Sequence, residues 1–161
     1  MPDNNILNIT IPGRPSLRLQ HLILDYNGTI AYDGLLLPEL IPQLNTLAQH
    51  LTIHVLTADT HGSAARQIEA FPCHLAVIPS GEQIIAKQRY LQQLTPEHCV
   101  AIGNGVNDQL LLRDAALGIA VMQQEGVAIP SLLAADIVIG SCSAALDLLL
   151  NPKLLIATLR C

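Results

Sequence analysis

The stretch HLILDYNGTIAYDG, residues 21–34, decides how the rest of the chain is interpreted. Its first residues form an aliphatic run, typical of a buried strand, that ends at Asp25. Asn27-Gly28 follows at once, and Asn-Gly between apolar stretches is the strongest short-range signal for a β-hairpin. Two interpretations are therefore open. The stretch is either two strands joined by a tight turn, or a buried strand that ends in a carboxylate placed for chemistry.

The composition is that of a globular α/β protein. The 161 residues fit one domain of ordinary size, and half of them are hydrophobic, mostly Leu, Ala, Ile and Val. Trp is absent and the net charge is −5, so neither an aromatic platform nor a basic patch for nucleic acid is visible. The four cysteines are widely spaced and match no zinc pattern, which is typical of structural thiols in a reducing cytosol.

The sequence also lacks the patterns of export and membrane insertion. The N-terminus has no basic region followed by a long apolar one, so it does not resemble a signal peptide. Asp, Pro or Asn interrupts each apolar stretch before it reaches the roughly 20 residues that a membrane span requires. We therefore predict a cytoplasmic protein with no nucleic-acid or membrane partner. The aliphatic surplus favours some self-association, so a homo-oligomer is one expectation.

Strand and helix signals alternate after a short N-terminal hairpin, which is predicted within residues 1–19 and turns at Pro12-Gly13. Strands are predicted at 20–24, 52–56, 74–78, 98–102, 117–121 and 136–139, and helices at 39–50, 62–70, 81–94, 106–113, 127–134 and from 142 onward, with a break at Pro152. The alternation predicts a mainly parallel sheet between two helical layers, a three-layer α/β/α Rossmann-like fold. We expect residues 1–161 to form one such domain without a cap domain.

Polar residues follow three of the predicted strands. Asp25 follows the first, Thr57 the second, and the loop GNGVND at 103–108 the fourth. Parallel sheets bind ligands at the carboxyl ends of their strands, so these residues are expected to share one site.

Asp25 and Thr57 each admit a chemical and a structural interpretation. A carboxylate at position 25 can attack phosphorus and form an aspartyl-phosphate, and Gly28 would let the backbone approach the phosphate closely. Asp25 alone is also a normal strand-end turn residue. The Thr57 hydroxyl and nearby N–H groups can hold a phosphoryl oxygen, whereas Thr57, Asp59 and Thr60 can equally cap the next helix.

Lys87 and the loop 103–108 are similarly open to two interpretations. Lys87 lies beside the apolar face of the predicted helix 81–94, where it can offset transition-state charge or simply be solvated. Only two lysines occur, Lys87 and Lys153. Asn104 and Asp108 supply the oxygen donors that suit Mg²⁺, although a Gly-rich connection with a helix cap has the same composition.

Taken in order, the motifs hhhDxNGT, hhTxD, a single Lys and hGNGxND resemble the haloacid dehalogenase (HAD) phosphotransferase superfamily. The closer resemblance is to the phosphorylation domain of P-type ATPases and their small soluble relatives. It extends from Asp25 to the late segment AADIVIGSCSAALDLLL, and it identifies NGTIAYDGLLLP as the helical squiggle and flap of that fold.

The resemblance implies a role for each candidate residue. Asp25 would be the nucleophile and a Mg²⁺ ligand, with the backbone carbonyl of Asn27 as a second ligand. The implied catalytic residues are Asp25, Asn27, Thr57 and Lys87, the implied phosphate-binding residues are Gly28, Thr57, Ala58 and Lys87, and the implied Mg²⁺ ligands are Asp25, Asn27, Asn104 and Asp108. A phosphorylated small molecule or macromolecule would be the substrate.

Two positions depart from the family pattern. Phosphatases of this superfamily carry Asp where this chain has Asn27, and an amide cannot transfer a proton to the leaving group. Asn104 replaces the usual first acid of the fourth motif, which weakens the expected hold on Mg²⁺. The resemblance therefore implies a Mg²⁺-dependent phosphatase of modest activity, and the alternative is a catalytically degenerate binding or regulatory protein. The spacing leaves no room for a large cap or an ion pump's insertion.

Overall fold

A computed structural model of the chain describes residues 5–59 and 62–161. Within those ranges the chain forms β1 (Leu7–Ile9), β2 (Leu17–Leu19), β3 (His21–Asp25), β4 (Ala31–Tyr32), β5 (Leu35–Leu36), β6 (Thr52–Thr57), β7 (His74–Val77), β8 (Cys99–Gly103), β9 (Leu117–Val121) and β10 (Ile137–Ile139). Six of these strands make one parallel sheet in the order β10-β9-β8-β3-β6-β7. All six predicted strands are confirmed, and β3, which carries Asp25, lies near the middle of the sheet.

Helices cover both faces of this sheet, which confirms the three-layer prediction. The helices are α1 (Ile41–Leu47), α2 (Ser63–Gln67), α3 (Gln83–Gln93), α4 (Gln109–Asp114), α5 (Ile129–Ala134), α6 (Cys142–Leu150) and α7 (Pro152–Leu159), with short 3₁₀ turns at Pro38–Leu40, Ile68–Ala70, Pro96–His98 and Val106–Asp108. One apolar core packs α1, α6 and α7 against one face of the sheet, and a second packs α3 and α4 against the other.

The alternation of side chains along β3 directs Asp25 toward α3. Leu22 and Leu24 belong to the larger core, whereas Ile23 belongs to the core beneath α3 and α4. Successive strand residues point to opposite faces, so Asp25 shares the face of Ile23. A shift of one residue in register would turn the carboxylate away from α3 and into the larger apolar core, which disfavours that register.

The hairpin signal within residues 21–34 lies later than its Asn-Gly pair suggested. After Asp25 the chain makes a helical turn, in which the carbonyl oxygen of Tyr26 accepts hydrogen bonds from the N–H groups of Ile30 and Ala31. The hairpin is β4–β5, and it turns at Asp33 and Gly34, whose φ angles of 50° and 76° suit a type I′ turn. The hairpin interpretation of Asn27-Gly28 is therefore wrong, and the squiggle-and-flap expectation matches the structure.

The N-terminal hairpin is present as predicted. β1 and β2 pair antiparallel, and the N–H of Arg14 donates to the carbonyl of Ile11 across the turn. Gly13 adopts a φ of 80°, which the third position of a type II turn requires after Pro12. Residues 1–4 of the predicted segment lie outside the described residues.

The two C-terminal helices break at Asn151, next to the predicted interruption at Pro152. Leu146 and Leu155 are fully buried, so both helices belong to the core. In the part of the chain that the structure describes, no single helix is long and apolar enough to cross a membrane; α6 and α7 reach that length only as a pair bent by 99°.

Candidate functional site

Three charged side chains meet at the carboxyl edge of the sheet. The Lys87 ammonium lies 2.7 Å from Oδ1 of Asp25 and 2.7 Å from Oδ1 of Asp108. Lys87 is 2% exposed, Asp25 7% and Asp108 not at all. Burying three ionic groups is costly unless they pair closely, so this arrangement has to be supported by the surrounding fold.

Separate elements position the three residues. Asp25 ends β3, Lys87 lies in the first half of α3, and Asp108 ends the 3₁₀ turn before α4. Lys87 and Leu91 are the buried residues of α3 and lie one helical turn apart, so they share the face that packs on the sheet. The interpretation of Lys87 as a solvated helix lysine does not hold.

Asp108 also orders the loop that precedes it. Its Oδ2 accepts hydrogen bonds of 3.0 Å from the backbone N–H groups of Asn104 and Gly105. A Cβ on Gly103 would lie 2.5 Å from Cγ of Asp108, so only glycine leaves room for the carboxylate. Both Asp108 oxygens therefore have partners within the protein.

The two carboxylates share one ammonium, which leaves one negative charge without a partner. Burial raises the pKa of Asp25 to about 7, and repulsion from Asp108 adds to the effect against the opposing attraction of Lys87. Burial alone would lower the pKa of Lys87, but the two carboxylates outweigh it and raise that pKa. A cation near Asp25 would balance the remaining charge.

Asp25 and Lys87 of this triad line an open cleft with a volume of about 390 Å³. The lining residues are Asp25, Asn27, Ala58, Gln83, Lys87, Asn104, Gly105, Asn107 and Glu125. Five of the predicted site residues therefore reach the cleft surface. The other three, Gly28, Thr57 and Asp108, are buried directly behind it.

Of the two roles that the sequence allowed in this segment, the structure shows the capping role, and it is taken by Asp59. Thr57 ends β6, is 3% exposed, and accepts a 3.1 Å hydrogen bond on its hydroxyl from the N–H of Asp59. The Asp59 carboxylate accepts a 2.8 Å bond from the N–H of Ala64 in the first turn of α2, which is a capping interaction. Thr60, the other predicted cap, lies outside the described residues.

Asn104 and Asp25 are linked through one hydroxyl. The Thr29 hydroxyl lies 3.2 Å from Oδ2 of Asp25 and 3.5 Å from Oδ1 of Asn104. The Asn104 amide nitrogen donates a 3.2 Å bond to the carbonyl of Gly126. Its oxygen therefore turns toward Asp25, and Asn27 lies exposed beside them on the cleft surface.

Four lining residues were not among the predicted site residues: Gln83, Gly105, Asn107 and Glu125. Gln83 accepts a 2.6 Å hydrogen bond from the Asn107 amide, and both sit at the rim between α3 and the loop 103–108. Glu125 comes from the loop after β9, which carries no recognised motif. The one sequence signal for Glu125 was its position in a loop at the carboxyl ends of the predicted parallel strands.

The oxygen donors of the cleft fit a hard cation such as Mg²⁺. The Asp25 carboxylate and the Asn104 amide oxygen converge on the Thr29 hydroxyl, and an uncompensated negative charge lies beside them. Among the described residues, no three His, Cys, Asp or Glu side chains cluster in a manner that would hold a metal. Any cation here would depend on amide and backbone oxygens as well as carboxylates, a combination that Mg²⁺ and Ca²⁺ accept.

Comparisons with known protein sequences identify one relative. No family model matches the sequence. The chain is 46% identical over 84 residues to an uncharacterized protein of Methanocaldococcus jannaschii, MJ0073, and the match covers 50% of this chain and 90% of the archaeal protein.

Solved structures with a similar fold include a phosphatase, a HAD-superfamily hydrolase and the catalytic domain of an ATPase. The 3-deoxy-D-manno-octulosonate 8-phosphate phosphatase of Moraxella catarrhalis, in complex with magnesium, phosphate and KDO, has a TM-score of 0.67 at 18% identity over 88% of this chain and 94% of that chain. A HAD hydrolase of Legionella pneumophila has a TM-score of 0.66 at 17% identity over 87% and 86%. The catalytic domain of the CPx-ATPase CopB-B has a TM-score of 0.54 at 24% identity over 72% and 46%. The HAD-like fold that the motif order implied is confirmed.

Proposed function

We propose that this chain, which belongs to the same family as the M. jannaschii protein and has the HAD fold, is a Mg²⁺-dependent phosphatase that works through an aspartyl-phosphate on Asp25. The observation that carries the proposal is the buried bridge of Lys87 to Asp25 and Asp108, both at 2.7 Å, on the wall of an open cleft. Ordinary core packing does not account for such a bridge, because an apolar trio would avoid its desolvation cost.

Asp25 would act as the nucleophile. Its Oδ1 is held by Lys87, while Oδ2 has only the long Thr29 hydrogen bond and is the freer oxygen. In the first step Oδ2 forms a bond to phosphorus, and the bond from phosphorus to the substrate oxygen breaks. In the second step water attacks the same phosphorus, releasing phosphate and restoring the carboxylate.

Lys87 and the segment after β6 would hold the transferred group. The Lys87 ammonium lies close enough to Asp25 to offset charge on the phosphoryl oxygens as they approach. Thr57 and the backbone of Ala58 are adjacent to Asp25, because the N–H of Tyr26 bonds the carbonyl of Leu56. Gly28, the remaining predicted phosphate-binding residue, is less suited to that role, because Asn104 and Glu125 lie against its Cα and its N–H bonds the Ala31 carbonyl.

Asp25, the Asn27 backbone carbonyl, Asn104 and Asp108 would hold the Mg²⁺, with Asp108 acting through water because both of its oxygens have protein partners. When bound, the ion supplies charge neutralisation for the phosphoryl group and its nucleophile. The magnesium and phosphate bound by the M. catarrhalis phosphatase support this choice of ion and ligand class.

Asn27 would limit the rate. It lies exposed on the cleft surface, where an Asp could protonate the leaving group, but its amide cannot transfer a proton. The leaving oxygen must then take its proton from water, which favours substrates with a good leaving group such as an aryl phosphate. A phosphorylated small molecule is the substrate class favoured by the fold's phosphatase neighbours.

Turnover of an aryl phosphate with Mg²⁺ tests the proposal. The protein is compared with Asp25→Asn and with Asp147→Asn, a matched control whose exposed carboxylate on α6 is remote from the cleft. We expect Asp25→Asn to abolish turnover and Asp147→Asn to keep it. Beryllofluoride, followed by fluorine NMR, should bind to the wild type with Mg²⁺ and not to Asp25→Asn.

Equal turnover in all three proteins would overturn the proposed phosphatase activity through Asp25. Binding of beryllofluoride without turnover would instead favour the alternative, a regulatory or binding protein that has kept the phosphate site and lost hydrolysis. The two missing acids, Asn27 and Asn104, are the features that favour this alternative.

A further inference from the structure

We infer that Glu125 supplies a carboxylate to the Mg²⁺ site and so compensates for the acid that is missing at Asn104. The inference rests on the proposed function, and it concerns a residue outside the four motifs that imply the site. Glu125 is exposed, and it lines the same cleft as Asp25, Asn27 and Asn104.

Three segments of the chain meet at Gly28: the loop after β3, the loop that carries Asn104 and the loop that carries Glu125. A Cβ on Gly28 would lie 2.5 Å from Nδ2 and 2.8 Å from Oδ1 of Asn104, and it would collide with Oε2 of Glu125. The carboxylate of Glu125 and the amide of Asn104 therefore cover one point of the backbone next to Asn27. Asn104 Oδ1 also lies 3.5 Å from the Thr29 hydroxyl, which contacts Oδ2 of Asp25, so the Glu125 carboxylate borders the same group of oxygen donors.

Specific hydrogen bonds hold the loop of Glu125 in this place. The Gln123 amide nitrogen donates bonds of 3.0 Å to the carbonyls of both Gly28 and Thr29, and its oxygen accepts a 2.8 Å bond from the N–H of Cys142. Gly126 closes the turn, since its N–H donates to the Gln123 carbonyl with a φ of 74°. Glu125 therefore stands on a turn that is fixed to the nucleophile loop.

Asn104 fixes the other side of the same turn. Its side-chain nitrogen donates to the Gly126 carbonyl at 3.2 Å, and its own carbonyl accepts a 2.8 Å bond from the N–H of Ala128. A carboxylate at position 104 has no N–H to donate to Gly126, so an Asp there would leave this side of the turn unsupported. Asn104 therefore removes one acid from the site, and its amide also holds the loop that carries the Glu125 carboxylate.

The charge count explains why a second free carboxylate matters. Asp108 is fully buried, and its oxygens are engaged by Lys87 and by two backbone N–H groups. Without Glu125, Asp25 would be the single carboxylate available to the ion, and it already shares Lys87. The affinity of oxygen sites for divalent cations rises with the number of charged ligands, so Glu125 makes the site effective.

Calorimetric titration of Mg²⁺ into the full chain tests the inference without relying on turnover. The proteins compared are the wild type, Glu125→Gln, and Glu97→Gln, which removes an equally exposed carboxylate just before β8, at the opposite end of the sheet. We expect Glu125→Gln to raise the Kd for Mg²⁺ by about tenfold or more, and Glu97→Gln to leave it unchanged. Adding Asn104→Asp to Glu125→Gln should recover most of the lost affinity, and circular dichroism checks that each variant is folded.

Equal Mg²⁺ affinity of Glu125→Gln and Glu97→Gln overturns the inference, and so does a folded double variant that recovers nothing. If the wild type binds Mg²⁺ and its turnover depends on Asp25 while Glu125→Gln matches it, the role of Glu125 alone fails. If the wild type binds no Mg²⁺, the proposed function fails together with it.

Discussion

The two ends of the central sheet bury polar groups in opposite ways. At the carboxyl end, Asp25, Lys87 and Asp108 are charged and carry one unbalanced negative charge. Toward the amino end, Nε2 of His54 lies 3.1 Å from Nδ1 of His21, and Nδ1 of His54 lies 2.7 Å from the Tyr90 hydroxyl. Helix α3 contributes to both clusters, because Lys87 and Tyr90 are three residues apart on it.

The difference lies in how each cluster is balanced electrically. The histidine cluster is satisfied by neutral hydrogen bonds, and His74 completes it by stacking on His54 with ring centroids 5.4 Å apart. It requires no additional ion. The carboxyl-end cluster is balanced only when a cation or a proton on Asp25 joins it, and unbalanced buried charge is characteristic of functional sites.

The largest effect is expected from Lys87→Met. This change leaves two buried carboxylates facing each other without a cation, which should cost about 3–5 kcal/mol of the free energy of unfolding. Urea denaturation at pH 8 measures the loss. At pH 5 the loss should be smaller, because protonation of Asp25 relieves the repulsion.

Lys153→Met is the matched control for this comparison. Lys153 is the other lysine of the chain and is exposed on α7. Its replacement should change stability by less than about 0.5 kcal/mol. If the two variants were equally stable at pH 8, the charged cluster would contribute nothing to the fold.

Asn27→Asp sharpens the chemical side of the comparison by adding the missing proton donor to the cleft. General acid–base help is worth about 10²–10⁴-fold, and we expect a rise in aryl-phosphate turnover near the lower value. Steady-state kinetics with Mg²⁺ measures the rise. Asn45→Asp, at an exposed position of α1, should leave the rate unchanged, and a lower rate in Asn27→Asp would mean that the amide itself is required.

The two ends also differ in the sign of their pH dependence. Burial, with repulsion from His21 and His74, lowers the pKa of His54 from 6.5 to about 4. The unfolded chain therefore binds the proton first, so stability is full above pH 6.5 and falls as the pH drops toward 4. The raised pKa of Asp25 acts in the opposite direction. The contribution of Asp25 to stability is full below pH 3.8 and is lost as the pH rises through about 7.

The pH dependence due to His54 can be isolated with a single variant. Between pH 7 and pH 4.5 without Mg²⁺, we expect His54→Gln to lose about 1–2 kcal/mol less stability than the wild type, below the full value because water reaches part of the cluster. His50→Gln, which changes an exposed histidine, should keep the wild-type slope. An unchanged slope in His54→Gln would show that the ring titrates normally.

The smallest effect is expected at Tyr90→Phe. This change removes the hydroxyl that lies 2.7 Å from His54 and should cost about 1 kcal/mol of stability, with no effect on Mg²⁺ affinity. Urea denaturation and calorimetry measure the two quantities. Tyr32→Phe is the control at an exposed tyrosine, and a loss of Mg²⁺ affinity in Tyr90→Phe would show that the two ends of the sheet are coupled.

The features that depend on strand order could be predicted from the sequence. The features that depend on contacts between loops could not. The position of Asp25 followed from one apolar run ending in an acid, and the grouping of Asp25, Lys87 and Asp108 followed from parallel topology and the family resemblance. The flap turn was less certain, because both Asn27-Gly28 and Asp33-Gly34 carry a hairpin signal and the choice depends on the bonds to the Tyr26 carbonyl.

Glu125 and the histidine cluster could not be predicted in the same way. Glu125 reaches the cleft because Gln123 bonds to Gly28 and Thr29, and no local pattern announces a hydrogen bond across 95 residues. His54 lies within the strand predicted at 52–56, and it is 5% exposed. Its pairing with Tyr90 depends on the orientation of α3, which strand and helix periodicity leave open.

The register of β3 has a consequence for the order of events during synthesis. Asp25 leaves the ribosome 62 residues before Lys87 and well before Asp108. Because contacts between distant residues form late in folding, the early chain carries Asp25 as an ordinary solvated carboxylate. The buried charges of the site therefore come together only after β6 and β8 have paired with β3. By then the core is already large enough to offset the desolvation cost of these charges.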